Sequence, residues 1–245
     1  MEHWDRLCPD GYRFVYDDAL FPPGTDTFVL SAFPRLKPGM RVCDLCSGTG
    51  LLGLLLLQRQ PELSVRGVEL LRSAAALAAR TAAANHLEDR LTCRVGDIRQ
   101  IRELLPSAAF DLVVCNPPYY PAGSGRLPES AARRAARAET ACSLEDVCAA
   151  AAYLLPWGGR FCLVHKPERL ADLSCALRNA GLELKRLRPV CPRLGDAPSL
   201  LLAEGRRGGR PGVEILPPLV LWGPDGNPTA ELNAVYFRIQ EEATP

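Results

Sequence analysis

Between about residues 41 and 164, short apolar runs alternate with longer segments whose apolar positions recur every three to four residues. Residues 41–45 read as a strand that ends in a glycine-rich turn. Residues 51–60 read as a helix stopped by Pro61. A second strand is expected at 64–69, an alanine-rich helix at 72–84 closing near Asn85, a third strand at 91–95 and a fourth at 110–115. Ser143, with Asp146 three residues on, forms a capping-box start; Leu144, Val147, Cys148, Ala151 and Leu155 then line one helix face. Gly158-Gly159 ends that helix, and 160–165 is a fifth strand. The alternation predicts an α/β fold: a Rossmann-like, doubly wound sheet, mostly parallel, with helices on both faces. A helix at 168–180 precedes 182–190 and 199–203, an expected closing strand pair that includes an antiparallel strand. A basic turn is expected at 205–212, and little regular structure from Leu216 until 231–237. No internal repeat is visible. The expected organisation is one domain over 1–245: a segment 1–40 that caps the site, a core 41–204 and an extension 205–245.

Composition refines this picture in a few places. A chain of 245 residues, 47% of them hydrophobic, can build one large domain with a substantial core, and no long polar linker divides it. The net charge is +1, so attraction to nucleic acid has to come from local patches. The ten cysteines sit mostly inside apolar runs, such as Val42-Cys43 and Phe161-Cys162-Leu163, where a free thiol packs as a small hydrophobe. Residues 1–10 are mixed and charged, unlike a signal peptide, so reduced thiols and a cytoplasmic location are expected. The leucine-rich run 51–57 is too short to cross a bilayer.

The first strand ends in Asp44-Leu45-Cys46-Ser47-Gly48-Thr49-Gly50 and opens a helix. Glycines there let the backbone turn tightly and approach a ligand. A dinucleotide turn would read G-x-G-x-x-G with a pyrophosphate on the helix N-terminus. This one begins with an acid, which suits the cationic amino-acid end of S-adenosylmethionine better than a phosphate. Glu69 ends the second strand, where ribose hydroxyls need an acceptor; Asp97 follows the third and could reach the adenine amine. The same acids could instead be turn formers and helix caps. Cys43 and Cys46 form a C-x-x-C, but no second pair at ligand spacing follows, and no metal is expected.

Asn116-Pro117-Pro118-Tyr119 follows the fourth strand directly. A planar amine is a poor nucleophile because its lone pair is delocalised. The Asn116 oxygen and the Pro117 carbonyl can accept its two N–H groups and aim the lone pair at a methyl group. Pro118 restricts residue 117 to extended backbone and so fixes that carbonyl. Tyr119, with Tyr120 beside it, offers an aromatic face on which an unpaired base can stack. Positioning and hydrogen bonding carry such a rate, without a covalent nucleophile. The pattern serves an adenine amine or an amide.

These motifs resemble the N6-adenine methyltransferases of the Rossmann-like class. More narrowly, the chain is similar to the bacterial family that methylates adenine 37 of a valine tRNA. The similarity extends to Cys142-Ser143-Leu144-Glu145-Asp146-Val147, to Leu163 through Leu170, and to Leu216-Pro217-Pro218-Leu219, running from about residue 20 onward. It implies S-adenosylmethionine as cofactor, tRNA as partner and a class I methyltransferase core. On that resemblance Asp26, Asp44, Ser47, Gly48, Gly50, Glu69, Asp97 and Asn116 hold the cofactor; Asn116, Pro117 and Tyr119 carry catalysis; Pro118, Tyr119 and Tyr120 meet the base. The chain departs from the family at Arg137-Ala138-Glu139, often Arg-His-Glu, and over 12–25.

Arg126, Arg133, Arg134 and Arg137 cluster after the acceptor motif, and Arg133, Arg134 and Arg137 are expected to contact the RNA. Two further groups are Lys185, Arg186, Arg188 and Arg193, and then Arg206, Arg207 and Arg210; solvated faces would look the same. The rival readings are a protein glutamine N5-methyltransferase, a non-catalytic cofactor-binding scaffold and a DNA adenine methyltransferase. The first commonly adds a helical domain before the sheet and the last a target-recognition domain, and neither is expected here. His3, His86 and His165 are expected as surface or packing residues.

Overall fold

Strands buried on both faces are apolar throughout, and the central strands of this chain are of that kind. The structure, a computed structural model, describes residues 1–18, 20, 22–117 and 142–238. Pro118, Tyr119, Tyr120, Arg126, Arg133, Arg134 and Arg137 lie outside the described residues. In chain order the elements are β1 (Glu2–Arg6), β2 (Arg13–Asp17), α1 (Thr25–Ser31), β3 (Arg41–Leu45), α2 (Leu51–Arg59), β4 (Ser64–Glu69), α3 (Arg72–Ala84) and β5 (Leu91–Val95). After a 3-10 turn (Ile98–Gln100) come α4 (Ile101–Leu104), β6 (Leu112–Cys115), α5 (Leu144–Leu154) and β7 (Arg160–His165). A second 3-10 turn (Pro167–Arg169) leads to α6 (Leu170–Asn179), β8 (Leu182–Cys191), β9 (Leu200–Arg207), β10 (Glu214–Ile215), β11 (Leu219–Val220) and α7 (Ala230–Val235).

The main sheet has the order β10-β8-β9-β7-β6-β3-β4-β5, with β11 also on β8. β3, β4, β5, β6 and β7 are mutually parallel, and β9 runs antiparallel between β7 and β8. This is the mostly parallel, doubly wound sheet expected. Side chains alternate across it. Val42 and Val114 face α1 and α2, whereas Cys43, Leu45, Val113 and Cys115 face α4, α5 and α6. α5 starts at the expected capping box, Ser143 accepting from the Asp146 amide and Asp146 from that of Ser143.

Three features differ from the sequence expectation. β9 continues to Arg207, so Gly205, Arg206 and Arg207 belong to a strand and not to a turn. The proline- and glycine-rich stretch adds β10 and β11 to β8. The N-terminal residues form a hairpin of β1 on β2 that packs along α3, where the Val15 amide donates to Thr81 Oγ1 at 3.1 Å. Among the described residues no helix is long and apolar enough to cross a membrane.

Candidate active site

Register decides what meets at the carboxyl edge of the sheet. Leu45 pairs with Val68 on one side and Cys115 on the other. Glu69 and Asn116 therefore follow on the same row, just past the level of Leu45. Parallel sheets of this kind bind ligands in this crevice.

Asp44 lies within β3 on the α2 face and is buried. The Gly53 amide in the first turn of α2, a donor no helical carbonyl can reach, lies toward one oxygen of the Asp44 carboxylate and favours the charged form. The other oxygen, Oδ2, has no hydrogen-bond partner among the described residues. Burial, then the nearby charge of Glu69, pushes the Asp44 carboxyl well above the ordinary carboxylate range. Glu69 accepts from the Gly48 amide at 2.8 Å and from the Leu71 amide at 2.8 Å. Burial raises its carboxyl as well, while those amides oppose the shift. The turn between the two acids needs left-handed backbone at Cys46 (φ 57°), Gly48 (φ 55°) and Gly50 (φ 79°). At Gly50 a side chain would also strike Ala78, since a Cβ there would lie 2.9 Å from the alanine Cβ. Ser47 is buried in the turn, its amide donating to the Val68 carbonyl at 3.1 Å.

Two buried acids, both raised chiefly by burial, with one orphaned oxygen fit a cationic ligand with hydroxyl groups, and they fit a phosphate poorly. Asp97 is different. It caps the 3-10 turn after β5, accepting from the Arg99 amide, and pairs with the Arg99 guanidinium at 2.5 Å. The hydrogen bond from Arg99 holds its carboxyl below the ordinary range. The structure thus brings Asp44, Ser47, Gly48, Gly50 and Glu69 together and sets Asp97 at the rim, engaged as a cap.

Asn116 follows β6 and donates from Nδ2 to Thr27 Oγ1 at 2.9 Å. The Thr27 hydroxyl donates in turn to Asp26 Oδ1 at 3.5 Å, which leaves it an acceptor for the amide nitrogen and turns Asn116 Oδ1 away from Thr27. Pro117 is buried behind it. Thr27 was missed by sequence reasoning; its only signal is its place in the first turn of α1, beside Asp26. Asp26 accepts from the Thr27 amide at 2.8 Å, at the start of α1. α1 is held in turn by Tyr236, whose ring stacks on Phe28 at 4.4 Å and whose hydroxyl donates to Thr25 Oγ1 at 3.0 Å.

The second and third basic groups are largely committed inside the protein. Arg186 pairs with Glu204 at 2.9 Å and lies over the Phe33 ring; Arg188 pairs with Glu231 at 2.7 Å. Lys185 donates to the Arg210 carbonyl and Arg207 to the Leu155 carbonyl. His165 is buried at the end of β7, and burial lowers its pKa. No cluster able to hold a metal occurs among the described residues.

Residues 15–169 match the model of the methyltransferase small domain. The chain is 34% identical over 189 residues to a tRNA1(Val) (adenine(37)-N6)-methyltransferase of Porphyromonas gingivalis, covering 75% of this chain and 73% of that one. A ribosomal protein uL3 glutamine methyltransferase of Bordetella pertussis is 40% identical, but over only 52% of this chain and 43% of its own. Among solved structures, a predicted O-methyltransferase of Agrobacterium tumefaciens superposes with a TM-score of 0.70 at 20% identity, covering 87% of this chain and 96% of that one.

Proposed function

Since the chain belongs to the methyltransferase small domain family, and within it to the group of tRNA (adenine-N6) methyltransferases, we propose that it methylates the N6 amine of an adenine in tRNA, beside the anticodon of a valine tRNA. S-adenosylmethionine supplies the reactive methyl as a sulfonium. Asp44 Oδ2 meets the cationic amino-acid end of that cofactor, Glu69 its ribose hydroxyls, and the glycines of the turn let the backbone approach. Asp97, paired with Arg99, would accept the cofactor's adenine amine at the rim. Residues 1–40 and 205–245 complete one catalytic unit around the core 41–204.

The acceptor chemistry belongs to Asn116 and Pro117. Their oxygens accept the two N–H groups of the substrate amine, drawing the nitrogen toward tetrahedral geometry with its lone pair aimed at the methyl. Thr27 keeps the Asn116 amide the right way round. Tyr119 stacks on the base, and Pro118, Tyr120, Arg133, Arg134 and Arg137 flank it. The observation that carries this reading is the Asn116 amide held by Thr27 on the same strand-end row as Glu69.

Replacing Asn116 tests it. Loss of one preorganised polar group at a reacting centre costs roughly 10²–10³ in turnover. Asn116→Ala is expected to lose that much methyl transfer to unmodified tRNA, with its melting temperature kept. Unchanged turnover would sink the proposal. The amide-acceptor rival rests on the same acceptor motif and on the half-length match to the glutamine methyltransferase.

A further inference from the structure

Three thiols meet where the cofactor turn adjoins the acceptor motif. Cys46 follows β3 and is fixed in left-handed backbone; Cys115 ends β6 and is fully buried; Cys142 stands just before the Ser143 cap of α5. Cys46 Sγ and Cys142 Sγ are 3.9 Å apart, though the residues are 96 positions apart in sequence. Both are partly exposed, whereas Cys115 is buried. Methyl transfer has no use for either thiol.

A disulfide bond is about 2.05 Å long, so closing this pair needs a movement of roughly 2 Å. Cys46 cannot supply it easily, because β3 and the left-handed turn hold it. Cys142 lies outside α5 in irregular backbone and can. We propose that Cys46 and Cys142 are a reversible oxidation site whose disulfide ties the start of α5 to the cofactor turn and slows catalysis.

Oxidised glutathione serves as the oxidant. One protein thiol loses its proton and attacks a glutathione sulfur, releasing the first glutathione. The second protein thiol, also deprotonated, attacks the protein sulfur of that mixed disulfide and releases the second glutathione. The Sγ–Sγ bond forms, the protein gives up two electrons, and the two protons end on the two glutathione thiols. Cys142 stands beside the Ser143 cap, so closing the bond shifts the start of α5, while β3 keeps Asp44 in place.

The full chain, reduced and cofactor-free, is incubated with oxidised glutathione, digested without reductant and analysed by mass spectrometry. The expected product is a peptide linking Cys46 to Cys142. The linked protein should turn over tRNA at least tenfold more slowly with cofactor affinity changed less than threefold, and reductant should restore the rate. Cys142→Ser should keep its activity under the same oxidant. Absence of that peptide, a linked protein as fast as the reduced one, or a Cys142→Ser variant that is inhibited equally would overturn the proposal. The peptide is identified without any substrate, so failure of the tRNA reading would leave the disulfide test intact.

Discussion

Of the carboxylates buried in the sheet, Glu204 and Asp44 are handled in opposite ways. On β9, Glu204 is paired with Arg186 at 2.9 Å, and Arg186 lies over Phe33. On β3, Asp44 has one amide partner and an orphaned oxygen, with Glu69 close enough to raise its pKa further. A paired buried charge holds strands together; an unpaired one costs stability until a cation arrives. The difference fits a structural role for the β9 acid and the cofactor-holding role proposed for the β3 acid.

The largest expected effect falls on the structural side. Glu204→Ala strands the buried Arg186 guanidinium and should cost about 3–5 kcal/mol, read as a lower denaturant midpoint, while cofactor affinity per folded molecule is unchanged. A loss under 1 kcal/mol would break the comparison, because Glu204 would then be no better placed than a surface acid.

Asp44→Asn should do the reverse. Removing a charge-assisted contact weakens cofactor binding about ten- to hundredfold. The cofactor-free protein should melt roughly 2–4 °C higher, the shift that about 1 kcal/mol makes in a chain of this size. Calorimetry with S-adenosylhomocysteine beside a thermal melt reads both quantities. If the variant bound as well as wild type, Asp44 would be merely a cap for α2.

The pH dependence sharpens the same point. The folded Asp44 carboxyl is raised above its unfolded value, so the folded state holds a proton that the unfolded chain gives up. Its contribution favours folding at low pH and is lost as pH rises through the ordinary carboxylate range and beyond. The difference in stability between wild type and Asp44→Asn, without cofactor, should therefore widen from acid toward neutral pH in favour of the variant. A flat difference would contradict the burial argument.

The smallest effect is at Asp97. Its folded pKa is lowered, so its stabilisation is present at neutral pH and fades below the ordinary carboxylate range. Asp97→Ala should cost about 1 kcal/mol as a lost cap and weaken cofactor binding less than Asp44→Asn does. A larger loss of affinity than at Asp44 would reverse their order.

Much of this was legible in the sequence because the signals were local. The runs around Val42, Val65, Val113 and Leu163 are apolar since both faces of a parallel strand are covered. The turn from Asp44 to Gly50 and the acceptor Asn116 are contiguous motifs beside them. What stayed hidden depends on distant partners. Arg186 and Arg188 read as a basic patch, because Glu204 and Glu231, which neutralise them, come much later in the chain. Arg206 and Arg207 look like a turn, yet they continue β9 by backbone pairing with β7 and β8. The charged strand Glu2–Arg6 carries little alternation, and its pairing with β2 is invisible in composition. Thr27 gains its role only when α1 is folded over the end of β6.

The central claim is the acceptor atom. The protein is incubated with methyl-labelled S-adenosylmethionine and unmodified bulk tRNA, and the RNA is digested to nucleosides. The account predicts label in N6-methyladenosine. Unlabelled RNA, with label instead on glutamine when protein extract replaces tRNA, would contradict it and assign the acceptor site to an amide.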